Sequence, residues 1–580
     1  MLSPLHDIKP YKLQNKMKPK YCARAQTTVL PKQRRKPELM RTAISCLLLT
    51  GLLVGCGGGG EGSKILLLAP TVPPVTQGPD PLIDRQWHLF NTGQSGGVAG
   101  MDIGLQGVKE TGLGVLIAFV DGAVQISHPD LVANLLTLNG KLPTPDPSPQ
   151  LAPAGALYND KAGQWDDAHG TAVVGIAVAS ANNSLGGRGV APQSKFLSYD
   201  GVSTGLVAGG LRSAIELGAD IVNNSWGALD SKSGQAWSYQ NSDPAWREAM
   251  TAALEQGRRG LGTVVVFAAG NGGPNEDTNR DGYTNHPGVL TVGAVDHRGR
   301  PSSYAEPGAN VLISAPSMSL WRRSVAGTDI WTTDISGSRG LANGSLPASA
   351  DYAEFAGGSS ASAPMVSGVV ALMLEANPRL TWRDVRWLLA RTARPADLGS
   401  ELAEPSAMNA HGFYPRVGFG RVHAGDAVSA ARNFIGLPTE KRCDSGTLRV
   451  DLPIGDRPAP ALISSNRLEG CDLKIVESVQ VTLAVDHVYA ADLEVVLISP
   501  SGTRSLLAKP HSCPSNSPPP CGDLSKGWTF HSVRHMGESL QTSVQSIAAG
   551  QTMGWQLQVR DGQTGDTGLW RSWRLVMTGH

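Results

Sequence analysis

The chain has 580 residues, 41% of them hydrophobic and 17% charged, enough for two or three cores of about 100–200 residues each. Its 50 Lys and Arg stand against 49 Asp and Glu, a formal charge of +1, and this balance lacks the basic excess on which nucleic-acid binding depends. With 69 Gly and 39 Pro the composition is that of a turn-rich, extracellular protein.

Residues 1–39 are basic and lack apolar periodicity, so Met40 is expected to be the true start. The apolar run from Thr42 to Cys56 is shorter than the roughly 20 residues of a membrane-spanning helix and reads as a signal peptide. Met40-Arg41 supplies a short basic start and Leu47 to Val54 the apolar stretch. Leu53-Val54-Gly55-Cys56 resembles the lipobox at which bacterial lipoproteins are cut and acylated. Cys56 would then be the lipidated N-terminus of an exported protein held at an outer membrane or cell surface, because more than one acyl chain gives stable anchoring. The alternatives are an ordinary cleaved signal or a cytoplasmic tail. On this reading residues 1–56 are extension and signal, and the Gly/Pro-rich 57–79 form a tether.

From 80 to 435, short apolar runs alternate with helical stretches, which predicts an α/β domain with a mostly parallel central sheet. Val115–Val120, Ile221-Val222, Thr263–Phe267 and Val289–Val292 read as buried strands, each running into Gly, Asn or Asp. Helical stretches are His169–Ala179, Ala245–Gln256, Ser362–Ala376 and Thr381–Ala393. After Arg432 the pattern changes to alternation, in Val479–Val485, Leu493–Ile498, Trp555–Val559 and Trp573–Met577, and predicts an antiparallel, jelly-roll-like β-sandwich over 440–580. Of seven cysteines, four fall there, and Cys443–Cys471 with Cys513–Cys521 is the simplest of three pairings. The stretch 80–435 has no cysteine, which excludes thiol catalysis in it.

Amide hydrolysis by a hydroxyl nucleophile needs a base, an orienting carboxylate and donors for the oxyanion. Asp121 ends an apolar run; His169, in Asp166-Asp-Ala-His169-Gly-Thr, opens a helix; Ser360, in Gly357-Gly-Ser-Ser360-Ala, opens another. A helix start favours the developing negative charge. Asn271, in Ala268-Ala-Gly-Asn271-Gly-Gly, offers a side-chain amide to the oxyanion beside the Ser360 backbone N–H.

The order Asp, His, Ser is that of subtilisin, and residues 80–435 resemble the subtilisin-type peptidase domain throughout. Ser225-Trp-Gly227, Asp281-Gly-Tyr-Thr-Asn285 and Leu380-Thr-Trp-Arg-Asp384 are similar to the kexin and furin branch. Residues 443–580 resemble that branch's P domain, notably in Ala491–Arg504 and Gly565-Asp-Thr-Gly-Leu-Trp570. Two departures stand out: Gly122 follows Asp121 where the family has Asp, Ser or Thr, and Ser359 precedes Ser360 where it has Thr. The first removes a carboxylate that helps furin-like enzymes read a basic P2 residue.

The resemblance implies a serine endopeptidase acting on protein or peptide substrates. Substrate backbone would lie along Ser225, Trp226 and Gly227 as an added strand. Asp281 would take an Arg or Lys at P1, and Asp166 would lie near S2. The acids that select a P4 Arg are not matched, since Ala236 and the Gly209–Leu211 region stand in their places, so a dibasic motif is expected to matter less than it does for furin. Two Ca2+ sites are implied: one from Asp230, Asp277 and Glu306, the other from Asp80, Asp130, the Asn183 side chain and the carbonyls of Ser180, Leu185 and Gly187. Oxygen-only ligands suit calcium.

The 57–79 stretch is too short for the folded inhibitory prodomain of most relatives, so folding help or inhibition is expected from the P domain or a separate partner protein. Two rivals remain open. A non-catalytic surface binding protein could keep the fold, and an esterase or peptide ligase would share the acyl-enzyme but differ in the acceptor.

Overall fold

The computed structural model describes residues 78–138, 166–202, 205–228, 239–320, 327–337, 340–341, 351–355, 357–466, 468, 470–511, 522–540 and 554–580. The signal, the Cys56 lipid site, most of the tether, Asp230, Ala236 and the Cys513–Cys521 pairing lie outside these residues, as does the side chain of Asp166.

Six strands, β1 (Leu116–Asp121), β2 (Lys195–Asp200), β3 (Ile221–Asn224), β4 (Val264–Ala268), β5 (Val289–Val295) and β6 (Val311–Pro316), form one sheet. Their order is β2-β1-β3-β4-β5-β6 and every neighbouring pair is parallel. Both faces are covered, which is why these strands read as unbroken apolar runs. One core layer contains α1 (Asp166–Val178), α4 (Ser359–Ala376), α5 (Trp382–Thr392) and α6 (Ala424–Arg432). The other contains α2 (Val207–Glu216) and α3 (Pro244–Glu255). Winding changes direction at β1, which has β2 on one side and β3 on the other, and this leaves a crevice beyond their carboxyl ends.

Helix ends follow local chemistry. Asp243 caps α3 by accepting from Ala245 N, with Pro244 in the first turn, and Thr381 and Asp384 make a reciprocal capping box on α5. Helix α4 is buried over almost its whole length, as its uniformly small and apolar composition requires. Both α1 and α4 begin three residues before their apolar stretches, at Asp166 and Ser359, because polar and small residues occupy the first turns. Strand β2 went unpredicted, since Lys195 and Ser198 interrupt its apolar run. A small antiparallel pair, β7 (Ile330–Thr333) and β8 (Tyr352–Phe355), packs beside α1.

The C-terminal region is an antiparallel sandwich of two four-stranded sheets. One is β10 (Leu462–Asn466), β15 (Trp555–Asp561), β12 (Leu493–Ile498) and β13 (Arg504–Ala508), and the other β14 (Trp528–Ser532), β11 (Val476–His487), β16 (Gly568–Gly579) and β9 (Lys441–Ile454). Trp555, Trp570, Trp573 and Phe530 fill the space between the sheets. The Cys443–Cys471 disulfide forms as expected.

The sandwich docks on the α/β domain through polar contacts at named positions. Arg383 of α5 makes a bidentate pair with Glu477, at 2.9 and 2.5 Å, and donates to Pro438 O. Asn279 accepts on its carbonyl from the Trp528 indole at 2.9 Å and on its side chain from His531 N at 2.7 Å. Asn285 donates to Thr529 O.

Candidate active site

Asp121, the last residue of β1, is buried, and its Oδ1 lies 2.7 Å from His169 Nδ1. The same oxygen accepts from Gly122 N at 2.7 Å, so the residue that departs from the family pattern serves the carboxylate through its backbone. His169 stands in the first turns of α1, where Gly170 meets the carbonyls of Gly122 and Ala123 so closely that a Cβ would lie about 2.5 Å from them. A side chain there would push the helix off the end of β1. The Phe355 ring packs edge-on to the imidazole at 5.4 Å.

Ser360 is the second residue of α4, and α4 packs against α1. Its Oγ donates to Ser225 O at 2.9 Å, and Ser225 Oγ returns a bond to Ser360 O at 3.0 Å. Asp121 and His169 are therefore joined in hydrogen-bond contact, while the Ser360 hydroxyl is turned to the Ser225 carbonyl. Rotation about its Cα–Cβ bond is the motion that redirects it.

Asn271 follows β4 by three residues, and its Oδ1 accepts from Ser359 N at 2.8 Å and from Ser359 Oγ at 3.1 Å. A backbone N–H can only donate, so this contact fixes the amide oxygen and leaves the NH2 as its other end. Ser359 also bonds both the N–H and the carbonyl of Gly270. The serine that replaces the family's threonine thus ties the Asn271 loop to the start of α4, a role that its place beside Ser360 hinted at and no other sequence signal marked. Gly358, at φ 66°, supplies the left-handed turn into the helix.

Ser225, Trp226 and Gly227 continue from the end of β3. The Trp226 indole donates to Val120 O at 2.8 Å. Asp281 lies against this segment: Oδ2 accepts from Ala228 N at 2.9 Å and Oδ1 from Tyr283 N at 2.7 Å, and a Cβ on Gly227 would sit 3.0 Å from Oδ2. The structure brings Asp281 against the Ser225–Gly227 segment along which substrate backbone is expected. Asp166 opens α1 one turn before His169.

Asp80 and Asp130 are both buried, and Asn183 bridges them, its N–H on Asp80 at 3.1 Å and its side chain on Asp130 at 2.7 Å. Burial, reinforced by Asp80, pushes the Asp130 carboxyl up to about 7, and burial raises Asp80 as well. Ser180 N bonds Asp130 O, and the 182–187 loop turns through positive φ at Asn182, Ser184 and Gly186, bringing Leu185 N to Asn183 Oδ1. Two buried acids bridged by the Asn183 amide, at a loop that returns to them through Ser180 N, are a donor set that fits a hard cation.

The other acids behave differently. Thr278 N bonds Pro307 O, so Asp277 and Glu306 flank one contact. Glu306 accepts from Gly272 N at 2.7 Å beneath the Asn271 loop, where a Cβ on Gly270 would strike it. Burial lifts Asp277 to about 6, opposed by Arg280 and by Lys509 from the sandwich, whose ammonium donates to Pro274 O. Lys509 was not foreseen, because only the docking of the sandwich brings it here.

A carboxylate bonded to an imidazole at the end of a parallel strand, beside a helix headed by a serine and an amide pinned to that helix, defines the class: an α/β protein with the side-chain set of a serine hydrolase. Residues 112–420 match the subtilase family and residues 476–577 the proprotein convertase P-domain, and the chain belongs to the subtilase family. It is similar to the PC3-like endoprotease variant B of Hydra vulgaris, at 32% identity over 79% of this chain and 62% of that protein. It is similar also to the dibasic-processing endoprotease of Schizosaccharomyces pombe, at 31% over 86% of this chain and 65% of that protein. The chain thus spans less than two thirds of either relative's length. Among solved structures, an Aeromonas sobria serine protease in complex with its chaperone superposes with a TM-score of 0.68 at 25% identity, covering 87% of this chain and 95% of that one.

Proposed function

We propose that the chain is a calcium-dependent serine endopeptidase that cleaves after Arg or Lys through an acyl-enzyme on Ser360. The observation that carries the reading is the 2.7 Å bond between Asp121 Oδ1 and His169 Nδ1. It assigns the ring proton to Nδ1 and leaves Nε2 as the base. Ser360 Oγ, rotated off Ser225 O, gives its proton to Nε2 as it attacks the scissile carbonyl, and the imidazolium, steadied by Asp121, returns that proton to the leaving amine. The Asn271 amide and the Ser360 N–H take the oxyanion. Water then repeats the cycle on the ester.

The Asp281 carboxylate beside Gly227 supports a basic P1, as does the similarity to an enzyme named for dibasic processing. Asp80, Asp130 and Asn183 would hold calcium, whose charge would relieve the repulsion between the two acids and fix the 180–187 loop. Asp277 and Glu306, with Asp230, would hold the second ion. Likeness to a protease solved with a chaperone supports a separate folding partner. Export and anchoring through Cys56 rest on the lipobox-like run alone; Cys56→Ala should move the protein from the membrane to the soluble fraction.

A fluorophosphonate should label Ser360, and Ser360→Ala should abolish labelling and turnover together. Retained peptide cleavage in that variant would defeat the acyl-enzyme reading. Profiling against a peptide library, with and without chelator, should give cleavage after Arg and Lys that fades on chelation; cleavage chiefly after Leu or Phe would remove the Asp281 assignment.

A further inference from the structure

The P-domain stretches around His487, Ala491–Arg504 and Gly565–Trp570 lie apart from the hydrolytic site, yet they carry a concentration of buried ionisable groups. His487 closes β11, Asp561 closes β15 and Asp566 lies in the turn from β15 to β16. Strands β11 and β15 belong to opposite sheets, so the three residues meet across one end of the sandwich. Their side chains are 1%, 0% and 12% exposed. His487 Nε2 lies 3.5 Å from Asp561 Oδ2 and 3.5 Å from Asp566 Oδ1, and the three atoms all fall within 4.8 Å of one another. None of these three atoms has a hydrogen-bond partner.

That arrangement is too open for hydrogen bonds and too crowded for apolar packing. An N–H···O bond spans about 2.7–3.2 Å, so a proton on Nε2 would leave both contacts long. Ligands on a tetrahedral ion with bonds of about 2.0–2.1 Å stand about 3.3 Å apart, close to the spacing found. The imidazole is also set up as a ligand. Nδ1 lies 2.9 Å from Tyr489 O, which can only accept, and 3.2 Å from Tyr489 N. The shorter contact keeps the ring proton on Nδ1 and turns the Nε2 lone pair toward the two carboxylates, as the outer hydrogen bonds of metal-bound histidines do. Gly568, paired with His487 in the sheet, leaves room for the ring; a Cβ there would lie 2.4 Å from it. A fourth carboxylate, Asp492, interacts electrostatically with His487, Asp561 and Asp566.

We propose that His487, Asp561 and Asp566, with Asp492 or water as the fourth ligand, form a binding site for a zinc-class divalent cation that clasps the two sheets of the sandwich. The imidazole nitrogen separates this site from the oxygen-only calcium positions of the peptidase domain and selects a first-row transition ion over calcium. It also gives the Gly565–Trp570 motif a task independent of hydrolysis, so this proposal stands or falls separately from the peptidase reading.

The test uses the full chain with Ser360→Ala, stripped of metal and returned to millimolar calcium, with zinc titrated in competition with a chromophoric chelator. One equivalent of zinc should bind, calcium should not displace it, and melting should shift upward. His487→Ala and Asp566→Asn should each weaken that equivalent at least as far as the roughly 100-fold that loss of an outer-shell partner reaches. Cobalt in place of zinc, on the unsubstituted cluster, should give the intense visible absorption of a four-coordinate ion, which zinc then removes; this arm stands even if a variant fails to fold. Zinc binding unchanged in both variants, displacement by calcium, or a cobalt spectrum no different from the hydrated ion would overturn the proposal.

Discussion

The two halves of the molecule settle their buried polar groups in different ways. In the α/β half, the candidate catalytic and specificity groups are held by backbone N–H groups: Asp121 by Gly122, Asn271 by Ser359, and Asp281 by Ala228 and Tyr283. In the sandwich, several polar groups reach out to the other half instead: Glu477 to Arg383, Trp528 and His531 to Asn279, and Lys509 to Pro274. Three of those contacts land between residues 274 and 279, on the approach to Asp281. One half therefore positions the candidate catalytic groups, and the other braces the loop that leads to Asp281, the proposed P1 acid. Catalysis and stability should be separable by mutation along this division.

Asp121→Asn strikes the first half alone. It should lower kcat by about 10⁴-fold through the wrong histidine tautomer, with the melting transition retained. Glu477→Gln strikes the second: it leaves the Arg383 guanidinium, only 11% exposed, with the longer 3.8 Å contact to Glu440 as its ion pair and should cost up to about 3–5 kcal/mol in denaturant unfolding, with kcat of the folded fraction unchanged. A fall in kcat at full folding would break the division. Asn271→Ala should cost about 2.7–4 kcal/mol of transition-state stabilisation, read in kcat with KM little altered. Asn279→Ala crosses the boundary. It strands the His531 N–H at a cost of about 1–3 kcal/mol, and a rise in KM for Arg and Lys substrates beyond any change in kcat would show that the brace reaches the pocket.

Much of the candidate site was legible because each group stands at a transition in texture. Asp121 and Asn271 follow buried apolar runs, and His169 and Ser360 open helices. What escaped was tertiary in origin. Nothing local shows that the Ser360 hydroxyl rests on Ser225 O, or that Ser359 ties down the Asn271 loop. The Leu380–Asp384 motif was recognisable by likeness, but its physical content is a capping box in which Arg383 faces a glutamate far along the chain. His487, Asp561 and Asp566 carried no spacing signal, since strand register across two sheets brings them together. Strand β2, with its Lys and Ser, shows that an edge strand paired along its whole length on one side can hide where polar residues interrupt its run.

The smallest effect concerns pH and sets buried histidines against buried acids. Burial lowers His88 to about 3, His286 to about 4, with Arg247 and Arg386 adding to the effect, and His511 to about 3, with Arg280 adding. Unfolded, each titrates near 6.5, so between roughly 6.5 and 4 the unfolded chain binds more protons at these sites and stability falls on acidification, by up to about 1.4 kcal/mol per pH unit for each. Asp130 and Asp277 carry the opposite sign: raised to about 7 and about 6 in the fold, they take up protons there first, so stability rises as pH falls from 7 toward 4. A bound cation keeps such acids ionised and removes their compensating uptake. Melting temperature should therefore drop more steeply from pH 7 to pH 5 in calcium than in chelator, and the gain from calcium should be largest at the alkaline end. Parallel curves in the two buffers would mean that neither acid pair takes calcium, and would confine the linkage to the histidines.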